Sequence, residues 1–337
     1  MKKKLVVFFC VFTLMISMTA GVLVGCGKKE EEKGLTPVTL NEVAHSIFYA
    51  PMYVAIEEGY FAEEGIEVEL INGLGADKTM TAVLSGESEI GFMGSEASVY
   101  VYNEGAEDYV VNFAQLTQRA GNFLVSRENE PDFKFTDLKG KTVLGGRKGG
   151  MPQMVFEYIL KKYGMDPATD LNIIQNIDFG MTAQAFAGGS GDYTVEFEPS
   201  ATALEKDGEG YVVSSLGVES GYVPYTAFSA KKSYIKKNPE VIQGFVNAIQ
   251  KGMDYVSTHT PEEIAAVIQP QFAETDKESL VTIVTRYYEQ DSWKENLVFD
   301  EAAFTLLLDI LESAGELEKR PPYENLVDNT YAEEAVK

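Results

Sequence analysis

Cysteine and histidine are scarce in this chain of 337 residues. The cysteines are Cys10 and Cys26, and the histidines are His45 and His259, which lie far apart in the sequence. A zinc site needs Cys or His at short spacing, and a Ser–His or Cys–His catalytic pair needs a suitably placed histidine. The sequence therefore predicts no metal site, no cofactor and no catalytic residue, and we expect a protein that is not an enzyme.

Basic residues are also few. The chain has 28 Lys and Arg against 52 Asp and Glu, a formal net charge of −24. Binding to nucleic acid requires an excess of Lys and Arg against phosphate, so a nucleic-acid partner is excluded. The acidic balance indicates a soluble protein that anionic surfaces repel, without identifying a ligand. With 45% hydrophobic residues, the chain is long enough for one large or two medium domains with a core.

The first 25 residues have the pattern of a secretory signal. Lys2, Lys3 and Lys4 are followed by an apolar run that begins at Leu5. A transmembrane helix is the alternative, because the apolar run is nearly long enough to span a bilayer. The run ends in LVGC at residues 23–26, which resembles a bacterial lipobox. This resemblance implies a signal peptide over residues 1–25, lipidation of Cys26, and a charged tether over residues 26–35.

The stretch from Asn41 to Leu70 predicts a strand, a turn, a helix and a second strand. Its turn, residues 46–49, follows the carboxyl end of the first strand, where open α/β sheets bind ligands. A second junction of this kind is predicted at Gly94, Ser95 and Glu96, between a strand at residues 89–92 and a helix at 97–102. Glu96 is equally well explained as an acid in the first turn of a helix, where it favours the helix dipole.

A glycine-rich loop, GGRKGG at residues 145–150, follows a strand predicted at Thr142–Leu144 and precedes a helix that begins at Met151-Pro152. The loop has neither the GxxxxGK[ST] nor the GxGxxG spacing, so it does not predict a nucleotide site. Its backbone N–H groups can still bond a ligand. Arg147 and Lys148 either hold an anion there or are ordinary loop charges.

Further contacts are expected where later strands end. Glu196 and Glu198 flank the end of a strand predicted at Tyr193–Phe197; their structural alternatives are a solvent-facing strand position and a helix start. The complete set of predicted ligand contacts is Ser46, Phe48, Tyr49, Gly94, Ser95, Glu96, Asn122, Arg147, Gly149, Gly150, Met151, Phe179, Gly180, Glu196, Glu198, Tyr222 and Tyr225. The aromatic members can sandwich a planar or apolar ligand.

Five segments carry a family resemblance, in this order along the chain: YAPMYVAIEEGYFAEEGIEVEL, AVLSGESEIGFMG, DLKGKTV, GDYTVEFEP and FSAKKSYIKKNPEVIQGFVNAIQKGMDYV. The chain resembles ABC-transporter substrate-binding lipoproteins of the sulfonate/nitrate/taurine and thiamine-pyrimidine-precursor binding family. The resemblance implies an α/β, type II periplasmic-binding-protein-like fold, with two α/β lobes, a hinge of two crossovers and a ligand cleft between the lobes. Residues 36–118 and 228–337 would form lobe 1, and residues 119–227 lobe 2.

The function that this resemblance implies is capture of a small molecule and its delivery to an ABC permease and its ATPase. We expect a monomer, held by the lipid on Cys26 at the extracytoplasmic face of the bacterial cell membrane. Relatives that handle the thiamine pyrimidine often carry an Asn-His pair where this chain has Phe48-Tyr49. Three predicted cleft acids against Arg147 and Lys148 nevertheless favour a pyrimidine or similar heterocycle over a sulfonate, taurine or nitrate. A pyrimidine-synthase-like enzyme and a sensor-linked receptor remain as alternatives.

Overall fold

The computed structural model describes residues 34–178 and 180–337. The predictions for the signal segment, for Cys26 and for most of the tether lie outside the described residues, as does the prediction for Phe179. None of the helices in the described ranges has the length and apolar character needed to cross a membrane.

The strands of the described chain form two five-stranded sheets. In chain order they are β1 (Thr36–Glu42), β2 (Ile66–Asn72), β3 (Ile90–Gly94), β4 (Val110–Thr117), β5 (Asn122–Ser126), β6 (Thr142–Leu144), β7 (Asn172–Ile174), β8 (Tyr193–Phe197), β9 (Tyr211–Ser215) and β10 (Thr226–Lys231). The first sheet has the order β2-β1-β3-β10-β4, with β10 antiparallel to both neighbours. The second has the order β7-β6-β8-β5-β9, with β5 antiparallel to β8 and β9.

Helices cover the faces of these sheets and form most of the last hundred residues. They are α1 (Ala50–Glu57), α2 (Tyr60–Glu63), α3 (Ala76–Ser85), α4 (Glu96–Asn103), α5 (Met151–Lys162), α6 (Thr182–Ala187), α7 (Ser200–Lys206), α8 (Leu216–Ser220), α9 (Lys232–Lys237), α10 (Pro239–Thr258), α11 (Pro261–Ile268), α12 (Lys277–Glu289), α13 (Glu301–Ser313), α14 (Tyr323–Leu326) and α15 (Thr330–Ala335). Short 3₁₀ helices lie at Ile47–Tyr49, Phe135–Leu138 and Gln269–Phe272.

The chain crosses from the first sheet to the second after β4 and returns before β10. These crossings are the two that the sequence predicts for the hinge. The parallel strands β1 and β3 end at the same edge of the first sheet, and β6 and β8 end together in the second. Residues that follow these strands are therefore the ones that can share a site.

The C-terminal helices fasten the region where the two sheets meet. The Tyr287 hydroxyl, on α12, donates a hydrogen bond of 3.0 Å to the carbonyl of Gly121, in the first crossing. The indole N–H of Trp293 donates one of 2.8 Å to the carbonyl of Phe48. Both aromatic donors are buried and satisfied, so the last third of the chain fixes the turn after β1 against the crossing.

Several predicted boundaries agree with the structure and others shift. The strands predicted at Thr142–Leu144 and Tyr193–Phe197 are confirmed without change, whereas the strand predicted at residues 89–92 lies at Ile90–Gly94 and the helix predicted at residues 97–102 lies at Glu96–Asn103. A capping box opens α11: the Thr260 hydroxyl accepts from the N–H of Glu263, and the Glu263 carboxylate accepts from the N–H of Thr260.

Candidate functional site

A cavity of about 870 Å³ lies at the strand ends, between elements of the first sheet and the loop that follows β6. Its lining comes from four parts of the first sheet, from the glycine-rich loop and the end of β8 in the second, and from the segment after α13. The described lining residues are Val43, Tyr49, Gly75, Ala76, Asp77, Met80, Thr81, Leu84, Gly94, Glu96, Ala97, Tyr100, Val101, Asn103, Glu104, Arg147, Lys148, Gly149, Gly150, Met151, Pro152, Phe197, Tyr225, Thr226, Glu316 and Glu318.

Three polar contacts join the glycine-rich loop to the opposite side of this cavity. The Tyr100 hydroxyl donates a hydrogen bond of 2.9 Å to the carbonyl of Gly149. Arg147 forms an ion pair of 3.1 Å with Asp77, at the start of α3, and Lys148 lies 3.6 Å from a carboxylate oxygen of Glu316. The two basic side chains are therefore directed to carboxylates of this protein, and they close one side of the cavity.

The apolar part of the cavity lining combines aliphatic side chains with four aromatic ones, Tyr49, Tyr100, Phe197 and Tyr225. Tyr49 is held edge-on against Phe92, with 4.5 Å between the ring centroids, and the ring of Tyr225 lies 6.2 Å from that of Phe197. The Tyr225 hydroxyl donates a hydrogen bond to the side-chain oxygen of Asn122. This bond satisfies the Tyr225 hydroxyl, whose side chain is 2% exposed.

Glu96 is the buried charge of the cavity, with 3% of its surface exposed. Its Oε2 atom has no hydrogen-bond partner among the described residues. Burial raises the pKa of the carboxyl group to about 7, although the backbone N–H groups of Glu96 and Met151 act in the opposite direction. The carboxylate lies over Gly94, where a Cβ atom would be 2.1 Å from Oε2, so only glycine at position 94 leaves room for it.

Ser46 and Phe48 belong to the packing beneath the cavity and are not among its lining residues. The Ser46 hydroxyl donates a hydrogen bond of 2.9 Å to the carbonyl of Glu198, which joins the turn after β1 to the end of β8. The ring of Phe48 is fully buried among aromatic side chains, with centroids 5.0 Å from Tyr287 and 5.8 Å from Tyr225. Asn122 is likewise buried, and it reaches the site only through Tyr225.

Glu196 and Glu198 are buried carboxylates outside the cavity lining. Glu198 accepts from Arg286 at 2.7 Å and from both the backbone and the hydroxyl of Thr202. Glu196 accepts from the Thr194 hydroxyl at 2.5 Å, and burial raises the pKa of Glu196 to about 7. The structural alternative of a solvent-facing position for Glu196 was wrong, because β8 is the central strand of its sheet and is covered on both faces.

The remaining predicted contacts are dispersed. Ser95, just after β3, donates a hydrogen bond of 2.7 Å to the carbonyl of Pro224, just before β10. Tyr222 is 58% exposed, stacks on the Arg119 guanidinium and donates a hydrogen bond of 2.6 Å to Asp291. Gly180 is exposed, with a φ of 84°, and is not among the lining residues. The structure thus brings together Tyr49, Gly94, Glu96, Arg147, Gly149, Gly150, Met151 and Tyr225.

Sequence reasoning missed Tyr100 and two further groups of lining residues. The first is the start of α3, Gly75–Asp77, which the sequence marks as a turn and helix cap but which also follows β2 at the same sheet edge. Tyr100 could have been found, because it lies four residues after Glu96 on one helix and so shares its face. The second group, Glu316 and Glu318, follows a helix with an ordinary core stripe and carries no local signal of a site.

His45 is held away from the cavity. Its Nδ1 lies 2.7 Å from Glu42 Oε1, its Nε2 lies 2.8 Å from the carbonyl of Gln271, and its ring stacks on Phe272. The hydrogen bond with Glu42 raises the pKa of His45 above its usual value, with burial acting against it. The Tyr53 hydroxyl binds the second oxygen of Glu42, so this histidine is part of a closed polar cluster under α11.

The two sheets, their two crossings and the cavity at their strand ends define the class of protein: the chain has the periplasmic-binding-protein fold that the sequence predicts. The alkanesulfonate-binding protein SsuA of Xanthomonas axonopodis pv. citri superposes with a TM-score of 0.71, covering 88% of this chain and 99% of that one at 13% identity. The nitrate-binding protein NrtA of Synechocystis PCC 6803 also gives a TM-score of 0.71, covering 90% and 88% at 16% identity. At these identities the likeness concerns the fold alone.

The family follows from the sequence comparisons. The family described as NMT1/THI5 like matches residues 47–264, so the chain belongs to it. YtlA of Bacillus subtilis (strain 168), whose name provisionally calls it a binding protein, is 47% identical over 326 residues, which is 97% of this chain and 96% of YtlA. A 4-amino-5-hydroxymethyl-2-methylpyrimidine phosphate synthase of Aspergillus parasiticus is 24% identical over 220 residues, 62% of this chain and 63% of that enzyme.

Proposed function

We propose that this protein is an extracytoplasmic solute-binding lipoprotein that captures a small organic ligand, of the thiamine-precursor pyrimidine type or a similar heterocycle, and delivers it to an ABC importer. The observation that carries the proposal is the cavity of about 870 Å³ at the strand ends, with a wall of aromatic rings and one buried carboxylate. That volume and lining suit a drug-sized planar molecule. The likeness to YtlA over nearly the whole chain supports binding as the activity.

Release would require the cavity to open. We propose that residues 36–118 and 228–337 move as one lobe and residues 119–227 as the other, about the two crossings. The bond from Tyr100 to Gly149 and the ion pairs of Arg147 and Lys148 join the two proposed lobes across the cavity, so opening would break these contacts. Exposed ion pairs of this kind contribute about 0–1 kcal/mol each, which suits contacts that form and break in a binding cycle.

Binding is tested with a thermal-shift panel on the detergent-solubilised full-length chain. The panel contains aminopyrimidines, thiamine, riboflavin, taurine, an alkanesulfonate and nitrate. A ligand that binds only the folded state adds about 2.7 kcal/mol to stability at a hundredfold excess over its Kd, which raises Tm by several degrees. We expect an aminopyrimidine to give the largest rise. A panel in which taurine or nitrate gives the only rise would favour the anion-binding alternative, and no rise with any compound would contradict the solute-binding proposal.

The membrane anchor is tested separately. If Cys26 is lipidated, Cys26→Ala removes the thiol that is acylated, and we expect the variant to leave the membrane fraction for the soluble fraction. Membrane retention and incorporation of a radiolabelled fatty acid are measured for both chains. Retention of the variant at the wild-type level would show that residues 1–25 act as a transmembrane helix and would overturn the lipobox interpretation.

An enzymatic alternative comes from the pyrimidine phosphate synthases among the relatives. The His45 ring is engaged by Glu42 and Gln271 and is not among the residues that line the cavity. A histidine in that position has no access to a molecule in the cavity, which favours capture over a reaction that uses this side chain. The likeness to YtlA, at twice the identity of the synthase and over a larger share of the chain, points in the same direction.

A further inference from the structure

Glu42, the last residue of β1, carries a carboxylate that is almost completely buried, with 1% of the residue exposed. Among the described residues this carboxylate has two hydrogen-bond partners. The Tyr53 hydroxyl donates to Oε2, and the Nδ1 atom of His45 lies 2.7 Å from Oε1. A buried carboxylate without a compensating charge costs free energy, so the protonation of the His45 ring determines whether this position is favourable.

The acceptors around His45 determine where its protons lie. Nε2 is 2.8 Å from the carbonyl oxygen of Gln271, and a carbonyl can only accept, so Nε2 carries a proton. A neutral ring protonated on Nε2 has a lone pair on Nδ1, and this lone pair would face an oxygen of the ionised Glu42 at 2.7 Å. A further proton must therefore lie between Nδ1 and Oε1. The pair holds one proton more than a neutral imidazole beside a carboxylate does.

Three elements of the fold face the His45 ring. The groups they present are the Glu42 carboxylate from β1, the Tyr53 hydroxyl and the Glu57 carboxylate from α1, and the carbonyl of Gln271 and the ring of Phe272 from the 3₁₀ helix at residues 269–272. Glu57 accepts from the side chain of Gln271. Burial raises the pKa of Tyr53 well above its usual value, so the tyrosine keeps its proton while His45 titrates. In the part of the chain that the structure describes, His45 is the one ion-pair partner of Glu42.

A chain of hydrogen bonds leads from this pair along the turn after β1. The N–H of Ser46 donates to the Tyr53 hydroxyl, and the N–H of Phe48 donates to the Ser46 hydroxyl. The carbonyl of Phe48 in turn accepts from the indole N–H of Trp293, at 2.8 Å. The turn is therefore bonded to the Glu42–His45 pair through Tyr53 at one end and to Trp293 at the other.

We propose that the Glu42–His45 pair is a pH-sensitive latch, which holds the turn after β1 while the pair keeps its further proton and releases the turn when that proton leaves. The inference goes beyond the proposed function and does not rest on it, because the latch is a property of the protein without a ligand. Loss of the proton leaves a buried carboxylate facing a lone pair, which favours withdrawal of the His45 ring. Val43 and Tyr49 line the cavity on either side of the released segment, so the cavity wall changes with the turn.

The direction of the pH dependence follows from the hydrogen bond with Glu42, which raises the pKa of His45 in the folded protein above its ordinary value of about 6.5 although burial acts against it. The folded protein then binds the proton more tightly than the unfolded chain does. The stabilisation by the pair is complete below about pH 6.5 and is lost as the pH rises through the pKa of His45 in the folded protein.

The test uses the two histidines and the one tryptophan of the chain as reporters, in the full-length protein in detergent and without ligand. NMR of ¹⁵N-labelled histidine rings follows the titration, and the signals that remain in His259→Gln belong to His45. We expect a pKa of His45 above 6.5, with both ring nitrogens protonated at lower pH. The fluorescence of Trp293 should change with the same midpoint, because its indole bonds the turn that the latch holds.

His45→Gln retains a donor for Glu42 and removes the titratable ring, so it should abolish this fluorescence change. The variant also isolates the effect on stability, because Glu96 and Glu196, with pKa values of about 7, titrate over the same range in both chains. Above pH 6.5 the unfolding equilibrium constant of the wild type, measured in urea, should rise relative to that of His45→Gln by up to about tenfold per pH unit, the slope for one proton.

His259→Gln is also the matched control, because the His259 ring stacks on Tyr255 and its Nδ1 lies 2.8 Å from the Tyr255 carbonyl, with no carboxylate bonded to it among the described residues. It should keep the wild-type fluorescence profile. A pKa of His45 at or below 6.5 overturns the inference, as does a fluorescence change that persists in His45→Gln. A raised pKa without any change at Trp293 overturns it as well, since the pair would then not hold the turn.

Discussion

Arg286→Ala is expected to lower the free energy of unfolding by about 3–5 kcal/mol, because it removes the charged partner of a buried carboxylate. The side chain of Glu198 is fully buried, and the Arg286 guanidinium contacts it at 2.7 Å while it also contacts Glu205 at 2.6 Å. After the substitution only the two donors of Thr202 remain on the Glu198 carboxylate. Leaving a buried charge with so few partners costs more free energy than the intact ion pair contributes to stability.

Urea denaturation with a fixed m-value measures this loss. Arg320→Ala is the matched control, since Arg320 also forms two ion pairs, with Asp309 at 2.6 Å and with Glu312, but on an exposed helix surface. Its substitution should cost about 0–1 kcal/mol. Adding Glu198→Gln to the Arg286→Ala chain should recover part of the stability, because it removes the buried charge. Equal losses for Arg286→Ala and Arg320→Ala would contradict the prediction, because they would show that Glu198 does not depend on Arg286 for its compensation.

The architecture around this ion pair could be foreseen in part. Short apolar strands bounded by glycine and polar turns predicted β6 and β8 at the residues where they occur. Each of these strands can be recognised from its own stretch of sequence, because hydrophobic alternation and flanking turn residues are local features. The loops at Gly94–Glu96 and Gly149–Met151 were predicted to face one site, and both line the cavity. The strand-end rule places each loop at the edge of its own sheet, and the expectation that the two edges face one cleft came from the family resemblance.

The partners of the buried charges could not be foreseen. Arg286 lies on α12, 88 residues from Glu198, and nothing in the sequence around either residue records their contact. The same holds for the Trp293 indole, which bonds the carbonyl of Phe48 across 245 residues. Such contacts arise when helices from the end of the chain pack on a turn near its start. They depend on the three-dimensional packing of elements, and no local periodicity of the sequence encodes them.

The distinction between Phe48 and Tyr49 was also beyond the sequence. Both belong to a 3₁₀ helix, in which consecutive side chains point about 120° apart, so only one of them can face the cavity. Gly121 determines which of the two side chains is buried and which faces the cavity. A Cβ atom at that position would be 2.6 Å from the Phe48 ring, so the absence of a side chain in the first crossing creates the space that the ring fills. Tyr49 is left to line the cavity.

Phe48→Ala should therefore lower the free energy of unfolding by about 3–5 kcal/mol, the usual result of removing a fully buried aromatic ring. Phe48→Leu should cost less, because it retains part of the packing against Tyr225 and Tyr287. The control is Tyr222→Ala, which removes an equally large ring that is 58% exposed and should cost less than about 1 kcal/mol.

Ligand affinity separates the roles of the two neighbours. For the compound that gives the largest thermal shift in the panel, Phe48→Leu should leave the Kd within about threefold of the wild type, because the ring does not line the cavity. Tyr49→Leu removes a wall of the cavity and should raise the Kd by about tenfold or more, since a lost aromatic contact is worth roughly 0.5–1.5 kcal/mol beyond its buried area. If Phe48→Leu weakens binding as strongly as Tyr49→Leu does, the Phe48 ring must contact the ligand. The turn at Ser46–Tyr49 must then rearrange on binding, so that both aromatic side chains reach the ligand.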